Sequence, residues 1–128
     1  MYVRALAAFF GALFCIVWTG SSMAELSATK KIELQAAMQR HIETHLVDGV
    51  FLHFEPETGA LRRYRMSSPH PQIVQVGEYF VLCADFRDES GGVVNFDFFI
   101  ALGSRGPVVF QTAIDDPVPL VNFMRAKN

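Results

Sequence analysis

Two aspartates, Asp85 and Asp97, are the side chains in this sequence best suited to acid–base chemistry. The segments that carry them, 79–87 and 93–102, are rich in alternating apolar residues and predict two antiparallel strands. Two carboxylates held close together raise the pKa of one of them, which suits that group for proton transfer. Tyr79 would add a hydroxyl to such a site. The alternative is a polar network with a purely structural role.

The turn DESGG between these strands sets the expected register of the hairpin. The expected cross-strand pairs are Arg87–Val93, Asp85–Asn95 and Cys83–Asp97. Side chains alternate between the two faces of a strand, so one face of this hairpin is entirely apolar and must belong to the core. Its residues are Phe80, Leu82, Ala84, Phe86, Val94, Phe96, Phe98, Ile100 and Leu102.

The other face of the hairpin is polar near the turn and apolar away from it. A contiguous apolar patch on a sheet is typical of a partner surface, and it predicts a two-fold homodimer. The expected interface residues are Val81, Phe99, Ala101 and Val109, with Ala113 beside them. The alternative is that the C-terminal segment folds back over the patch through Leu120, Val121, Phe123 and Met124.

Two histidines, His41 and His45, lie one helical turn apart in the segment HIETH, a spacing that lets two imidazoles reach one metal ion. A third ligand would have to come from His53 or His70. The alternative is a polar helix flank, where the helix dipole favours histidine near the C-terminus. We predict no metal site and no cofactor.

One cysteine and three arginines are weaker candidates for a chemical role. Cys83 lies mid-strand among apolar residues, a position more typical of a small core residue than of a nucleophile. Three arginines, Arg62, Arg63 and Arg65, alternate along one strand and therefore cannot form a single anion-binding patch. Ordinary cross-strand pairs with Glu55 or another nearby carboxylate are the simpler expectation.

The first 24 residues have the three-part layout of a secretory signal peptide. Arg4 supplies the positive charge, residues 5–18 form an uninterrupted apolar run, and small residues lead to a cleavage site after Ala24. An uncleaved anchor is the alternative, but fourteen helical residues fall short of a hydrocarbon core of about 30 Å. Cys15 does not fit a lipidation site, because Phe14 stands where a small residue is needed. We expect an exported protein, periplasmic or secreted, without stable membrane insertion after cleavage.

The mature chain, residues 25–128, has the size of a single domain. The whole sequence has 11 basic and 13 acidic side chains, and the signal peptide removes only Arg4. This mild acidity excludes a bulk nucleic-acid-binding surface. Cys83 is the one cysteine that remains, so no disulfide can form within the mature chain and packing must stabilise it.

The predicted fold is α+β: a long N-terminal helix over 25–48 packs on a curved antiparallel sheet of about five strands, an α/β roll. Apolar residues that recur every four positions indicate the helix, and Gly49 is expected to end it. Two prolines make 67–71 a loop, and a short helix is expected over 120–126. Strands are expected at 50–55, 60–66, 79–87, 93–102 and 107–114, with 72–76 extended.

Three segments carry a resemblance to known proteins: HLVDGVFLHFEPETGALRRYRM, YFVLCADFRDESGGVVNFDFFIA and VVFQTAIDD. In this order after a helix, they resemble small exported bacterial proteins of unknown function with NTF2-like or cystatin-like rolls. That superfamily includes isomerases, dehydratases, transport factors and assembly domains, so the resemblance implies a fold rather than a reaction. We expect a non-enzymatic binding or assembly domain that associates with itself. The alternatives are a small-ligand or enzyme pocket at Asp85 and Asp97, and a metal-binding module at His41 and His45.

Overall fold

The computed structural model describes residues 25–127, which form one antiparallel sheet with a helix on each face. The predicted signal peptide, residues 1–24, lies outside the described residues. The six strands are hydrogen-bonded in chain order, so every connection joins neighbours. The elements are α1 (Ala28–Thr44), β1 (Leu46–Val47), β2 (Val50–Glu55), β3 (Ala60–Val76), β4 (Tyr79–Arg87), β5 (Val93–Gly103), β6 (Gly106–Ile114) and α2 (Val118–Lys127).

Helix α1 begins at Ala28 and is capped by Ser27, whose hydroxyl accepts a hydrogen bond from the Lys30 backbone N–H at 3.1 Å. It buries a stripe of four apolar residues against the sheet. They are Leu34, Ala37, Met38 and Ile42. The predicted long helix over 25–48 is wrong, since α1 has 17 residues and ends at Thr44. No helix in 25–127 is both long enough and apolar enough to span a membrane.

The residues after α1 form a tight hairpin rather than a last helical turn. Leu46 pairs with Phe51 and Val47 with Val50 across the two-residue turn Asp48-Gly49. Both turn residues have positive φ, 51° and 77°, as a type I′ turn requires. The sheet therefore has six strands rather than the expected five or so, because Gly49 closes a hairpin instead of ending a helix.

Strand β3 is much longer than predicted and runs through the proline-containing segment 67–71. It has 17 residues, and its pairing with β4 shifts register after Met66 and again after Pro69. Proline has no N–H for a ladder hydrogen bond, so it is tolerated where pairing is irregular. The expected loop is therefore an irregular part of a continuous strand, which carries His70 alongside β4.

The β4–β5 hairpin has the predicted register, with Arg87 opposite Val93, Asp85 opposite Asn95 and Cys83 opposite Asp97. Its apolar face meets α1 and forms the main core, where Phe86, Phe96 and Phe98 are fully buried. Leu102 is the exception among the predicted core residues, because it is 48% exposed near the end of β5.

Helix α2 covers the opposite face of the sheet. A second apolar cluster of four buried residues lies there, made of Val76, Val81, Phe99 and Ala113. Leu120 and Phe123 of α2 pack against this cluster. A helix at 118–127 agrees with the expected short terminal helix, and the molecule consequently has three layers: α1, the sheet and α2.

Candidate functional site

The face of the sheet that packs against α2 is called the second face here. On its polar half, Asp97, Cys83 and Asn95 form a hydrogen-bonded group. Asp97 is only 3% exposed and is the one buried charged residue among those described. Its Oδ1 accepts hydrogen bonds from the Cys83 thiol at 2.9 Å and from the Asn95 amide at 2.8 Å. Both donors belong to the same hairpin, so the pairing register places them. The carboxylate is thus satisfied from within the protein, as a buried charge requires.

Asp85 lies diagonally across the hairpin from Asp97 on the same face, and it pairs with a residue of β3. Its Oδ1 lies 3.0 Å from Nε2 of His70, which the irregular part of β3 brings alongside β4. Nothing in the sequence near either residue signalled this contact, since it depends on where β3 shifts register. The His70–Asp85 pair is partly exposed, and Asp85 and Asp97 have different direct polar partners.

Tyr79 is remote from both aspartates. It is the first residue of β4, and six residues along a strand span about 20 Å to Asp85. Its ring packs near Phe110 and Phe123, with centroids 5.9 and 5.6 Å away. The Lys127 ammonium lies 4.9 Å from its centroid. Tyr79 therefore anchors α2 to the sheet, and the three proposed catalytic residues do not converge.

Cys83 is held as a neutral thiol. Burial and, to a smaller extent, the hydrogen bond to Asp97 raise the pKa of the Cys83 thiol to about 12. The thiolate is the nucleophile, so this environment suppresses reactivity. We expect iodoacetamide at pH 8 to alkylate folded Cys83 at least about 100-fold more slowly than the protein unfolded in guanidinium chloride. Mass spectrometry of timed samples measures this ratio, and comparable rates in the two states would contradict it.

His41 and His45 do come together, with ring centroids 4.2 Å apart. His45 Nδ1 lies 2.7 Å from the His41 carbonyl oxygen, and its ring stacks on Phe51. Burial and the nearby His45 lower the pKa of His41, so its neutral form is favoured. His53 lines the same cavity of about 320 Å³. Within residues 25–127, however, no three His, Cys, Asp or Glu side chains are grouped to hold a metal ion.

The apolar half of the second face is not open in this structure. Val81 and Phe99 are 0% and 3% exposed, and Phe123 of α2 packs edge-on against Phe99 with centroids 5.5 Å apart. The C-terminal segment therefore folds back over the apolar patch, which was the alternative to a dimer, and Val81 and Phe99 are not available as interface residues. Ala101 is partly exposed at the margin of this face.

Val109, the fourth expected interface residue, faces α1 instead. It pairs with Ile100 and packs against the main core. The pairing of β5 with β6 shifts between Phe99 and Ile100, which leaves Phe110 without a partner in the ladder. A bulge of this kind reverses the alternation of side chains, so Val109 and Ala113 lie on opposite faces although they are four residues apart.

The outer side of β6 is an open edge of the sheet. β6 is the last strand, so one row of its backbone groups has no strand beside it. Val108 and Phe110 are 54% and 49% exposed. The stretch Gly106–Ile114 contains no charged residue. That lack of charge was visible in the sequence, but only the strand order shows that this segment is an edge.

Natural proteins usually protect such an edge with charges, prolines or bulges. Here Pro107 and the bulge at Phe110 are present, but charge is not. No strand is hydrogen-bonded to the outer side of Val108–Ile114, although Gln111, Thr112 and Ile114 face His53 of β2 across a cavity of about 320 Å³. No protein family, curated protein or solved structure matches the chain, so the resemblance to NTF2-like and cystatin-like proteins stays a prediction.

Proposed function

We propose that the mature chain is an exported assembly domain, which associates with a second copy of itself through the outer edge of β6. The observation that carries this proposal is an unpaired edge strand of nine residues without a single charge. The signal-peptide pattern of residues 1–24 supports export. The proposal replaces association through the sheet face, because α2 covers that face.

Self-pairing is favoured because the β6 edge is complementary to itself. In an antiparallel two-fold arrangement each strand offers its open N–H and C=O groups to the same row on its partner. Like charges directly opposite each other would oppose such pairing, and the segment has none. Pro107 has no N–H, so the segment expected to pair runs from Val108 to Ile114.

The exposed apolar side chains of β6 add a hydrophobic contribution. Val108 and Phe110 project on the side of the sheet covered by α2, where the Phe110 ring lies 6.3 Å from that of Phe99. A second copy paired at this edge would bring the same two side chains next to it. Removing apolar area from water contributes about 25 cal/mol per Å².

Light scattering on residues 25–128 over a range of concentrations tests the proposal. We expect a concentration-dependent dimer, which Phe110→Lys weakens at least about tenfold because it places two ammonium groups near each other in a two-fold pair. Phe54→Lys is the control, since Phe54 is a similarly accessible aromatic residue that lies on β2, outside the strand proposed to pair, and is 58% exposed. A monomer at all concentrations, or equal weakening by both variants, would refute self-pairing at β6.

A further inference from the structure

Two open strand edges face each other across a cleft between β2 and β6. Strand β1 pairs only with Val50 and Phe51, so no strand among residues 25–127 is hydrogen-bonded to the outer side of β2 beyond Phe51. The outer side of β6 is likewise an open edge. Two cavities, of about 320 and 490 Å³, lie between these two strands, and His53 lines both. The β2–β6 cleft is therefore bounded by a strand edge on each side.

The backbone groups of β2 alternate in direction, and the β1–β2 turn shows which of them point into the cleft. Val47 and Val50 flank a two-residue turn, so they form a hydrogen-bonded pair and the N–H and C=O of Val50 point to β1. The N–H and C=O groups of Leu52 and Phe54 consequently point to the same outer side. Beyond the end of β1 they have no strand partner.

On β6, a hydrogen bond next to its last residue settles the same question. The Asp115 N–H donates to the Asn95 carbonyl of β5 at 2.7 Å, and the pairing of β5 with β6 is regular from there to Gln111. The N–H and C=O groups of Thr112 and Ile114 therefore point away from β5 and toward the cleft. Both edges thus offer backbone donors and acceptors to an extended chain.

The two edges run in the same direction along the sheet. Neighbouring strands from β2 to β6 are all antiparallel, so β2 and β6 are parallel to each other. A strand placed between them can be antiparallel to both, which is also the direction of β1. Because Leu46 of β1 already occupies the position opposite Phe51, an added strand must end opposite Leu52. The cleft is suited to the last few residues of a chain.

The charged groups differ between the two ends of the β2–β6 cleft. Three histidines and, among the described residues, no carboxylate line the cavity near β1: His41, His45 and His53. Three carboxylates line the cavity at the far end of β2: Glu55, Glu57 and Asp116. A strand that follows the direction of β1 has its amino end near the carboxylates and its carboxyl end near the imidazoles. Imidazole N–H groups donate to carboxylates, so charge complementarity favours a free C-terminal carboxylate there.

We propose that the β2–β6 cleft binds the C-terminal end of an extended partner polypeptide, as a strand antiparallel to both β2 and β6. About four residues pair with the open backbone groups of the two edges, and the terminal carboxylate accepts hydrogen bonds from the histidines. Strand addition and capture of a terminal carboxylate are both general modes of peptide recognition. The site does not require self-association, but a bound peptide occupies the same side of β6 as a second copy.

Calorimetric titration of residues 25–128 with the tetrapeptide Lys-Thr-Val-Thr, which has a free carboxylate, tests this site. We expect binding that a C-terminal amide weakens about tenfold, because the charged acceptor is lost. N-methylation of the valine nitrogen is expected to weaken binding about fivefold, because one hydrogen bond to a strand edge is lost. Absence of binding by the free acid, or equal binding of the acid and the amide, would overturn the proposal.

A histidine variant of the protein tests the placement of the carboxylate. His53→Ala is expected to weaken binding of the free acid about fivefold and to leave binding of the amide almost unchanged. His70→Ala is the matched control, since His70 lies on β3 and contacts Asp85. An equal loss in both variants would refute the assignment, provided that circular dichroism shows both to be folded.

Light scattering with saturating peptide separates this proposal from self-pairing at β6. Peptide binding by a chain that is monomeric at all concentrations would support the β2–β6 cleft while refuting self-pairing. In a chain that does dimerise, the bound peptide is expected to release monomers. A dimer that persists with the peptide bound would place the peptide outside this cleft and contradict the proposal.

Discussion

Replacing Phe96 with alanine is expected to lower the free energy of unfolding by about 4 kcal/mol, the largest effect of any single substitution considered for this domain. Phe96 is fully buried at the centre of an aromatic cluster. Its ring stacks on Phe86 at 3.9 Å between centroids and meets the edges of Phe51 and Tyr64 at 5.2 and 5.1 Å. Alanine would leave a cavity between three strands. Urea denaturation followed by circular dichroism measures the change.

Phe54→Ala is the matched control for this substitution. Phe54 is 58% exposed, so the same chemical change is expected to cost less than about 1 kcal/mol. Phe96→Leu preserves most of the buried volume and should cost about 1 kcal/mol, which keeps the test informative should the alanine variant not fold. A cost for Phe96→Ala no greater than that for Phe54→Ala would show that the main core is not centred on this ring.

Phe123→Asp is expected to release α2 from the sheet and to destabilise the domain by about 3 kcal/mol. The substitution places a carboxylate against Val81 and Phe99, which are otherwise almost completely buried beneath α2. With α2 displaced, the apolar half of the second face is exposed. Binding of a hydrophobic dye and new self-association are therefore expected to accompany the loss of stability.

The neighbouring Met124 provides the control for α2. It lies on the same helix but is 42% exposed, so Met124→Asp should change stability by less than about 0.5 kcal/mol and leave dye binding unchanged. Similar effects of the two substitutions would mean that α2 does not dock through Phe123. The second face would then be free for the sheet-face dimer that the sequence suggested.

The hairpin at the centre of the fold could be predicted from the sequence because local signals there agree. Strict alternation of side chains and the glycine-containing turn after Arg87 left one compatible register, and the observed pairs are the predicted ones. The buried stripe of α1 could be predicted equally well, since its apolar residues recur within four positions of each other.

The predicted end of the first helix was wrong because two local signals compete at Gly49. A glycine with positive φ can end a helix or close a type I′ hairpin, and the preceding Asp48 favours the hairpin. Leu46 lies within the predicted helix over 25–48, but it packs on the core from β1. The extra strand and the shorter helix both follow from this one turn.

Most of the candidate site could not be predicted because it depends on irregular pairing. The contact between His70 and Asp85 needs the register shifts of β3, and the position of Val109 needs the bulge at Phe110. The bulge at Phe110 has no local sequence signature, and the prolines at 69 and 71 mark irregular pairing without fixing which residues it brings together. A cavity of about 510 Å³ lined by Tyr64, Asp88 and Ile114 likewise combines distant segments of the chain, which only the fold brings together.

The outer edge of β6 is the surface through which we propose that the domain assembles. Helices α1 and α2 pack on the two sheet faces, and the opposite edge is formed by the two-residue strand β1, the end of β2 and residues 65–76 of β3, where prolines and register shifts make the strand irregular. An edge of nine uncharged residues is by comparison a strong template for a further strand. The account thus predicts association by extension of the sheet rather than by stacking of its faces.

Hydrogen exchange of residues 25–128, measured at several protein concentrations, tests this claim most directly. The account predicts that amide protection in 108–114 rises with concentration while protection in α2 stays constant, because only the β6 edge gains hydrogen bonds in the dimer. Protection in 108–114 that is independent of concentration, or a rise confined to 118–127, would contradict it.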